Sequence, residues 1–358
     1  MNPSPVLPRL RRCQLPAQAA LAALATLAAT AHTGAAAQST LTMFGVMDLA
    51  VRRTQVAGES AVHSLASGGV AGSRIGLRGQ EDLGGGLSAS FWLEGDIAAD
   101  TGAVTATAFW SRRSTASLAH ERVGELRAGR DYVPLFSRQY VPLSPFGVNG
   151  LASTGGMFFG TPALLGSGSG AGVRADNMIK LVLPDTLGGV FGEAMVSAAE
   201  GRTSNRHRGA VVGWAAGLTQ VSAGFGHTMD AAGQSSIKLS TLGGAYDAGV
   251  VRVAGLWQQA RYLQRRQLTW DLNLTVPLGL TTLKAGISKA DQSGAGTDAN
   301  DAQQLSLGMT YALSRRSNLY ATYSRIDNRG KQSFGMGGVT PAAGRDMQGL
   351  ETGFTHRF

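Results

Sequence analysis

Residues 73–94 read SRIGLRGQEDLGGGLSASFWLE. Ile75 and Leu77 alternate with Arg74, Gly76 and Arg78. Beyond a glycine-rich break, Leu87, Ala89, Phe91 and Leu93 alternate with Ser88, Ser90, Trp92 and Glu94. A period of two with one apolar face specifies strands, and Asp82 to Gly86 supplies a tight reversal between them. The polar face of the first strand holds two arginines four residues apart, opposite its apolar side.

The same alternation recurs from Gln38 to Phe358 with little helical spacing. It predicts sixteen strands, near 40–52, 73–81, 86–98, 109–119, 124–132, 174–184, 189–199, 208–216, 218–229, 236–246, 249–261, 264–276, 280–289, 302–312, 317–327 and 347–358. The connections alternate in length. Residues 82–86, 120–123, 185–188, 216–217, 247–248, 277–279 and 313–316 are short; 53–72, 99–108, 133–173, 290–301 and 328–346 are long. Short turns at one rim and long loops at the other describe an antiparallel up-and-down transmembrane β-barrel.

The faces agree with that assignment. Leu41, Met43, Met47, Leu49 and Val51 share one side of the first strand, and Thr42, Asp48 and Arg52 the other. In the last strand Leu350, Phe354 and Phe358 oppose Glu351, Thr355 and Arg357. A soluble sandwich would show the same alternation. The turn–loop asymmetry, the cysteine-free body and the terminal aromatic favour the barrel, in which charge sorts to the lumen because it is costly against lipid.

The first 37 residues are set apart. Arg9, Arg11 and Arg12 precede an Ala/Leu run that ends at Ala35-Ala36-Ala37, the layout of a cleaved secretory signal peptide. The only cysteine, Cys13, lies in this leader, so residues 38–358 form one barrel domain without disulfides. Removing the three leader arginines lowers the net charge of the chain from +9 to about +6. That balance, in an exported chain, gives no case for nucleic acid. The 50 glycines and 11 prolines fit neither a disordered chain nor an ordinary soluble enzyme.

Several blocks resemble the general porins of Gram-negative outer membranes, especially the trimeric beta-proteobacterial kind. These are TLTMFGVMDLAV (40–51), SRIGLRGQEDLGGGLSASFWLEGDIAADTG (73–102), FWSRRSTASL (109–118), GELRAGRDYVP (124–134), RADNMIKLVLP (174–184) and GLETGFTHRF (349–358). The resemblance implies a 16-stranded barrel in the outer membrane, a homotrimer in contact with outer-membrane lipid. Its water-filled channel would pass small hydrophilic solutes and ions, narrowed by a long third loop folded into the lumen. Phe358 would be the assembly signal.

The residues themselves support the inserted loop. Its 135–172 stretch, LFSRQYVPLSPFGVNGLASTGGMFFGTPALLGSGSGAG, is apolar and small, and loops of such length in a compact fold are usually functional.

Rings of charge at a constriction set pore selectivity. The resemblance places wall arginines at Arg74, Arg112 and Arg130. Arg78 shares the face of Arg74, and Arg138 lies early in the loop. Strict alternation from Leu126 and Ala128 points Arg130 outward, so a bend is needed to re-aim it. Lys180 is a further lumen cation, with Asp48, Glu94 and Asp96 on neighbouring walls. Porins of this group oppose the arginines with an acid in a DPFG-like stretch; here the stretch is SPFG, with Ser144 at the acidic position. No Asp or Glu occurs from Tyr132 through Ala175. An uncompensated arginine field in a narrow throat favours anions. Alternatively, the arginines brace the wall by pairing with Glu94 or Asp48.

No HExxH, CxxC, Walker A or nucleophile-elbow pattern occurs, and the six histidines are scattered, so neither a cofactor nor a metal is called for. A barrel enzyme would need a Ser/His or Asp/His constellation at a rim. An adhesin would favour long aromatic outer loops.

Overall fold

The computed structural model describes residues 39–104, 108–160, 164–168, 172–198 and 206–358. The leader and its cleavage site lie outside the described residues, as do positions 169–171 of the glycine run.

The strands are β1 (Thr40–Val56), β2 (Val62–Ser67), β3 (Arg74–Gly84), β4 (Leu87–Asp96), β5 (Arg113–His120), β6 (Gly124–Tyr132), β7 (Arg174–Val182), β8 (Val190–Ser197) and β9 (His207–Ala216). They continue with β10 (Thr219–Met229), β11 (Ser236–Asp247), β12 (Arg252–Tyr262), β13 (Arg265–Leu278), β14 (Thr281–Ser293), β15 (Asp301–Ala312), β16 (Ser317–Asn328) and β17 (Met347–Arg357). From β3 onward each pairs antiparallel with the next. β17 returns to β1, from Val46 opposite Arg357 to Val56 opposite Met347, and the sheet closes. Closure removes both edges, so no row of backbone donors and acceptors faces hydrocarbon.

On its other edge β1 serves two partners: residues 40–46 pair with β3 and residues 49–54 with β2. β2 and β3 are therefore halves of one stave, and the barrel is 16-stranded. The expected strands are present with ends shifted by a few residues. Only Val62–Ser67 comes from a region expected to be loop. The break between the halves has a local cause. Gly68 sits at φ +79°, and the Asp48 carboxylate accepts the backbone N–H groups of Gly69, Val70 and Ala71. A bend whose donors are satisfied by a side chain replaces the ladder there.

The apolar alternation faces outward, with Leu41, Val212 and Leu242 more than half exposed. The hydrophobic core lies inside the barrel, where the third loop crosses the lumen. Phe136, Tyr140, Leu143 and Phe158 of the loop pack against Val211, Ile237, Leu239 and Leu256 of the wall. Each large side chain so buried is worth about 1.5–3 kcal/mol, enough together to hold a loop with little regular structure of its own.

The wall is shaped for this. A Cβ on Gly243 would lie 2.5 Å from Leu143 Cδ1, and one on Gly308 2.9 Å from the Phe146 ring. Wall amides then take the loop's free carbonyls. Gln258 donates to Phe158 O (2.5 Å), Gln267 to Met157 O (2.7 Å) and Gln304 to Leu151 O (3.0 Å). Glu351 accepts Leu151 N at 3.1 Å while pairing with Arg52 at 2.9 Å.

Candidate functional site

The site begins where β4, β5, β6 and β7 meet the loop. Arg112 stands just before β5 and is buried; its Nε lies 2.5 Å from Glu94 Oε1 and its Nη1 2.6 Å from Asp96 Oδ1. Its backbone N–H donates to Glu94 O, and the Ser111 hydroxyl bonds Asp96. This side-chain-stapled bend is why β5 starts at Arg113 rather than near 109. Arg74, the first residue of β3, reaches Glu94 only at 3.5 Å and donates to Gly72 O. Of these two arginines, Arg112 is neutralised and Arg74 is not fully so.

The remaining sequence-selected cations are distributed unequally. Arg130 pairs with Asp176 and donates to Ser111 O. The register does break beside it, between Gly129 and Asp131, with Asn177 on β7 at φ +53°. Lys180 is fully enclosed between Asp131 (2.8 Å) and Glu193 (3.2 Å), and Arg138 takes Glu193 as well at 2.7 Å. Arg78 makes no ion pair among the described residues and does not meet Glu94. It lies 5.6 Å from the Phe44 ring centre and 5.3 Å from that of Trp92, whose indole N–H takes Glu94 instead. Asp48 is buried as the anchor of the 69–71 bend and also accepts Tyr320 Oη at 2.6 Å. Ser144 turns inward on its own loop, its hydroxyl donating to Gly147 O at 3.2 Å. Phe358 closes the barrel through two backbone hydrogen bonds to Gly45, its ring lying over that glycine.

Between loop and wall a cavity of about 490 Å³ is lined by Arg112, Phe136, Ser153, Phe159, Arg174 and His207, among others. Arg174 is a cavity cation that the sequence did not single out. Its guanidinium lies 4.6 Å from the Tyr132 ring centre and donates to that hydroxyl at 3.0 Å. Among the described residues no carboxylate is within ion-pair distance of it, and its buried Nε has no hydrogen-bond partner. A usable signal was its place at the exit of the acid-free loop, opposite Tyr132 across the ladder.

Arg74, Arg112 and Arg174 lie about Tyr132 with the carboxylates Glu94 and Asp96, while Lys180, paired with Asp131, donates to the Tyr132 carbonyl at 2.7 Å. The opposing loop adds no acid. Unit charges 6–8 Å apart interact by roughly 2–3 kcal/mol at an effective dielectric of 20, so a guanidinium without a carboxylate partner weighs on the local field. Within the core of the loop, burial holds the Tyr140 phenol above its ordinary pKa, and its hydroxyl bonds Thr154 Oγ1.

The model of the Gram-negative porin family matches residues 20–331. Outer membrane porin protein 32 of Delftia acidovorans is 34% identical, over 92% of this chain and 97% of that one. Among solved structures, the anion-selective porin from Comamonas acidovorans superposes with a TM-score of 0.79 at 30% identity, over 90% of this chain and 100% of that one. OmpT of Vibrio cholerae, 16% identical with a TM-score of 0.65 over 91% of this chain and 99% of its own, shares the fold. The closed 16-stranded barrel, the loop that narrows it and these relatives agree: the chain belongs to the Gram-negative porins, channel-forming barrels of the outer membrane.

Proposed function

We propose that the channel prefers anions, and that Arg174 with Arg74 supplies the field that selects them. The observation that carries this reading is the unmatched guanidinium of Arg174 on the cavity, facing a loop without a single carboxylate from Tyr132 to Ala175. A low-dielectric throat lined by one sign of charge concentrates the opposite ion. Arg112, Arg130, Arg138 and Lys180 contribute less, because each is spent on an acid. The similar porin from Comamonas acidovorans is itself described as anion-selective. The test is the reversal potential of the purified protein in planar bilayers under a salt gradient. The anion sign is expected, moving toward zero in Arg174→Gln. Cation preference in the wild type defeats the reading.

The same reading includes a homotrimer, in keeping with the trimer form of Vibrio cholerae OmpT, and cleavage of residues 1–37 on export. Intact mass and sedimentation of protein taken from outer membranes test both.

A further inference from the structure

Asp48 of β1 is fully enclosed in the lumen wall, yet among the described residues it forms no ion pair. Neutral donors take its two oxygens instead. Oδ1 accepts Gly69 N at 2.8 Å and Tyr320 Oη at 2.6 Å, and Oδ2 accepts Val70 N at 3.3 Å and Ala71 N at 3.0 Å. The backbone of the same residue is tied as well. The Ser73 hydroxyl donates to Asp48 O and accepts Asp48 N, each at 3.0 Å, and Gly68 N donates to Asp48 O at 2.9 Å. Tyr320 reaches this point from β16, its ring lying over Gly353 of β17, which stands opposite Ala50 of β1.

The ladder explains why a side chain is needed here. On this edge β1 pairs with β2 through residues 49–54 and with β3 through residues 40–46, so the bend between β2 and β3 has no strand partner. Its backbone donors would be orphaned in the wall, and one carboxylate satisfies three of them.

The bend that Asp48 holds touches both sides of the pore. On the wall side, Gly72 O accepts Arg74 Nη1 at 3.0 Å, and a Cβ on Gly72 would lie 2.8 Å from Arg112 Nη1. On the loop side, a Cβ on Gly147 would meet Val70 O and one on Gly150 would meet Gly69 O. Both glycines are left-handed, at φ +82° and +79°. Between them Asn149, with its amide turned to satisfy both of its atoms, accepts Gly72 N and donates to Val148 O. Backbone thus lies on backbone, and a shift of the bend passes to the loop tip with no side chain to absorb it. Asn149 and Arg112 both line the cavity, so this seam is part of its rim.

We propose that Asp48, assisted by Ser73 and Tyr320, is a positioning residue for the channel. It fixes the bend that aims Arg74 and seats the loop tip, and so sets both the bore and the anion preference. The selectivity part rests on the anion preference proposed above; the bore part stands without it. A role as a plain countercharge to the arginines makes the opposite prediction, because removing an acid would then strengthen anion preference.

The test compares Asp48→Asn, Tyr320→Phe and Gly150→Ala with the wild type in planar bilayers, by single-channel conductance and reversal potential. Asp48→Asn keeps the shape but sets an amide NH2 against backbone donors, and the other two substitutions change no charge. Expected in all three is a larger conductance, with the anion-to-cation permeability ratio lowered at least about twofold as the throat widens. In an Arg74→Gln background, Asp48→Asn is expected to shift selectivity far less while still raising conductance; a shift undiminished there overturns the positioning of Arg74. Stronger anion preference in Asp48→Asn, with the other two variants at wild-type values, overturns the proposal and marks a countercharge. Lower thermal stability with conductance and selectivity unchanged overturns it too, marking a brace. Should Asp48→Asn not fold, Tyr320→Phe and Gly150→Ala carry the same two readouts. Cation preference in the wild type defeats the selectivity reading above, whereas unchanged conductance in the variants defeats this one.

Discussion

The guanidinium of Arg174 lies over the ring of Tyr132, 4.6 Å from its centre, and donates to the hydroxyl of the same side chain at 3.0 Å. The two residues are opposite each other on β7 and β6, and the ring also lies 5.9 Å from the Arg112 guanidinium. Tyr132 thus holds a cation at the cavity without cancelling its charge, as a carboxylate would. A cation–π contact of this kind is worth about 0.5–2 kcal/mol. Tyr132→Leu is expected to lower the thermal stability modestly and weaken anion preference less than Arg174→Gln. Reversal potentials and melting curves on both variants decide this, and equal selectivity in Tyr132→Leu and wild type counts against the positioning role.

Glu94 touches Arg112 at 2.5 Å and Arg74 at 3.5 Å, so it is the acid that restrains the field. Glu94→Gln is expected to raise anion preference. Because it leaves the buried Arg112 with Asp96 alone, it should also cost up to about 3–5 kcal/mol of stability. Selectivity and unfolding must move in opposite senses; a variant that loses both would show that Glu94 acts only as a brace.

Leu143 rests on Gly243, with no room for a Cβ between them. Gly243→Val is expected to push the loop off the wall at a cost of about 1–3 kcal/mol and to widen the channel. Single-channel conductance reads the widening. Adding Leu143→Ala should relieve the main clash and recover part of the loss, although Leu256 Cδ1 still lies 3.2 Å from the added Cβ.

Gln258, Gln267 and Gln304 satisfy the carbonyls of Phe158, Met157 and Leu151. Leucine at Gln258 or Gln304 leaves a buried carbonyl without its donor, at about 1–3 kcal/mol, whereas at Gln267 the Met157 carbonyl keeps the Thr269 hydroxyl at 3.4 Å. Replacing all three is expected to give a noisier and larger conductance as the loop detaches. A quiet wild-type trace from the triple variant would mean that apolar packing alone retains the loop.

Among the sequence-level choices, the strands and their faces were the most legible. A two-residue period records which side meets lipid, and it placed Ile75 outward and Arg74 inward without any knowledge of partners. The loop's insertion could be read because an apolar stretch of that length needs a surface to cover. The neutralisation of each lumen charge could not be read, because it depends on cross-wall neighbours. Ser144 illustrates the limit. It stands where an acid was expected, yet its hydroxyl closes a turn to Gly147, and it is not among the residues lining the cavity. Ser144→Asp therefore tests the loop's charge from a position set back from Arg174, and it is expected to reduce anion preference less than Arg174→Gln.

The sequence by itself determined the membrane barrel, its inside and outside, and the excess of cations within, since alternation, turn length and composition are local properties of the chain. Only the tertiary structure decided which of those cations remain available. Register and loop path set Arg112 against Glu94 and Asp96, Lys180 against Asp131 and Glu193, and Arg174 against an aromatic ring. A charge acts on a passing ion only as far as its neighbours leave it unscreened, and those neighbours lie on other strands.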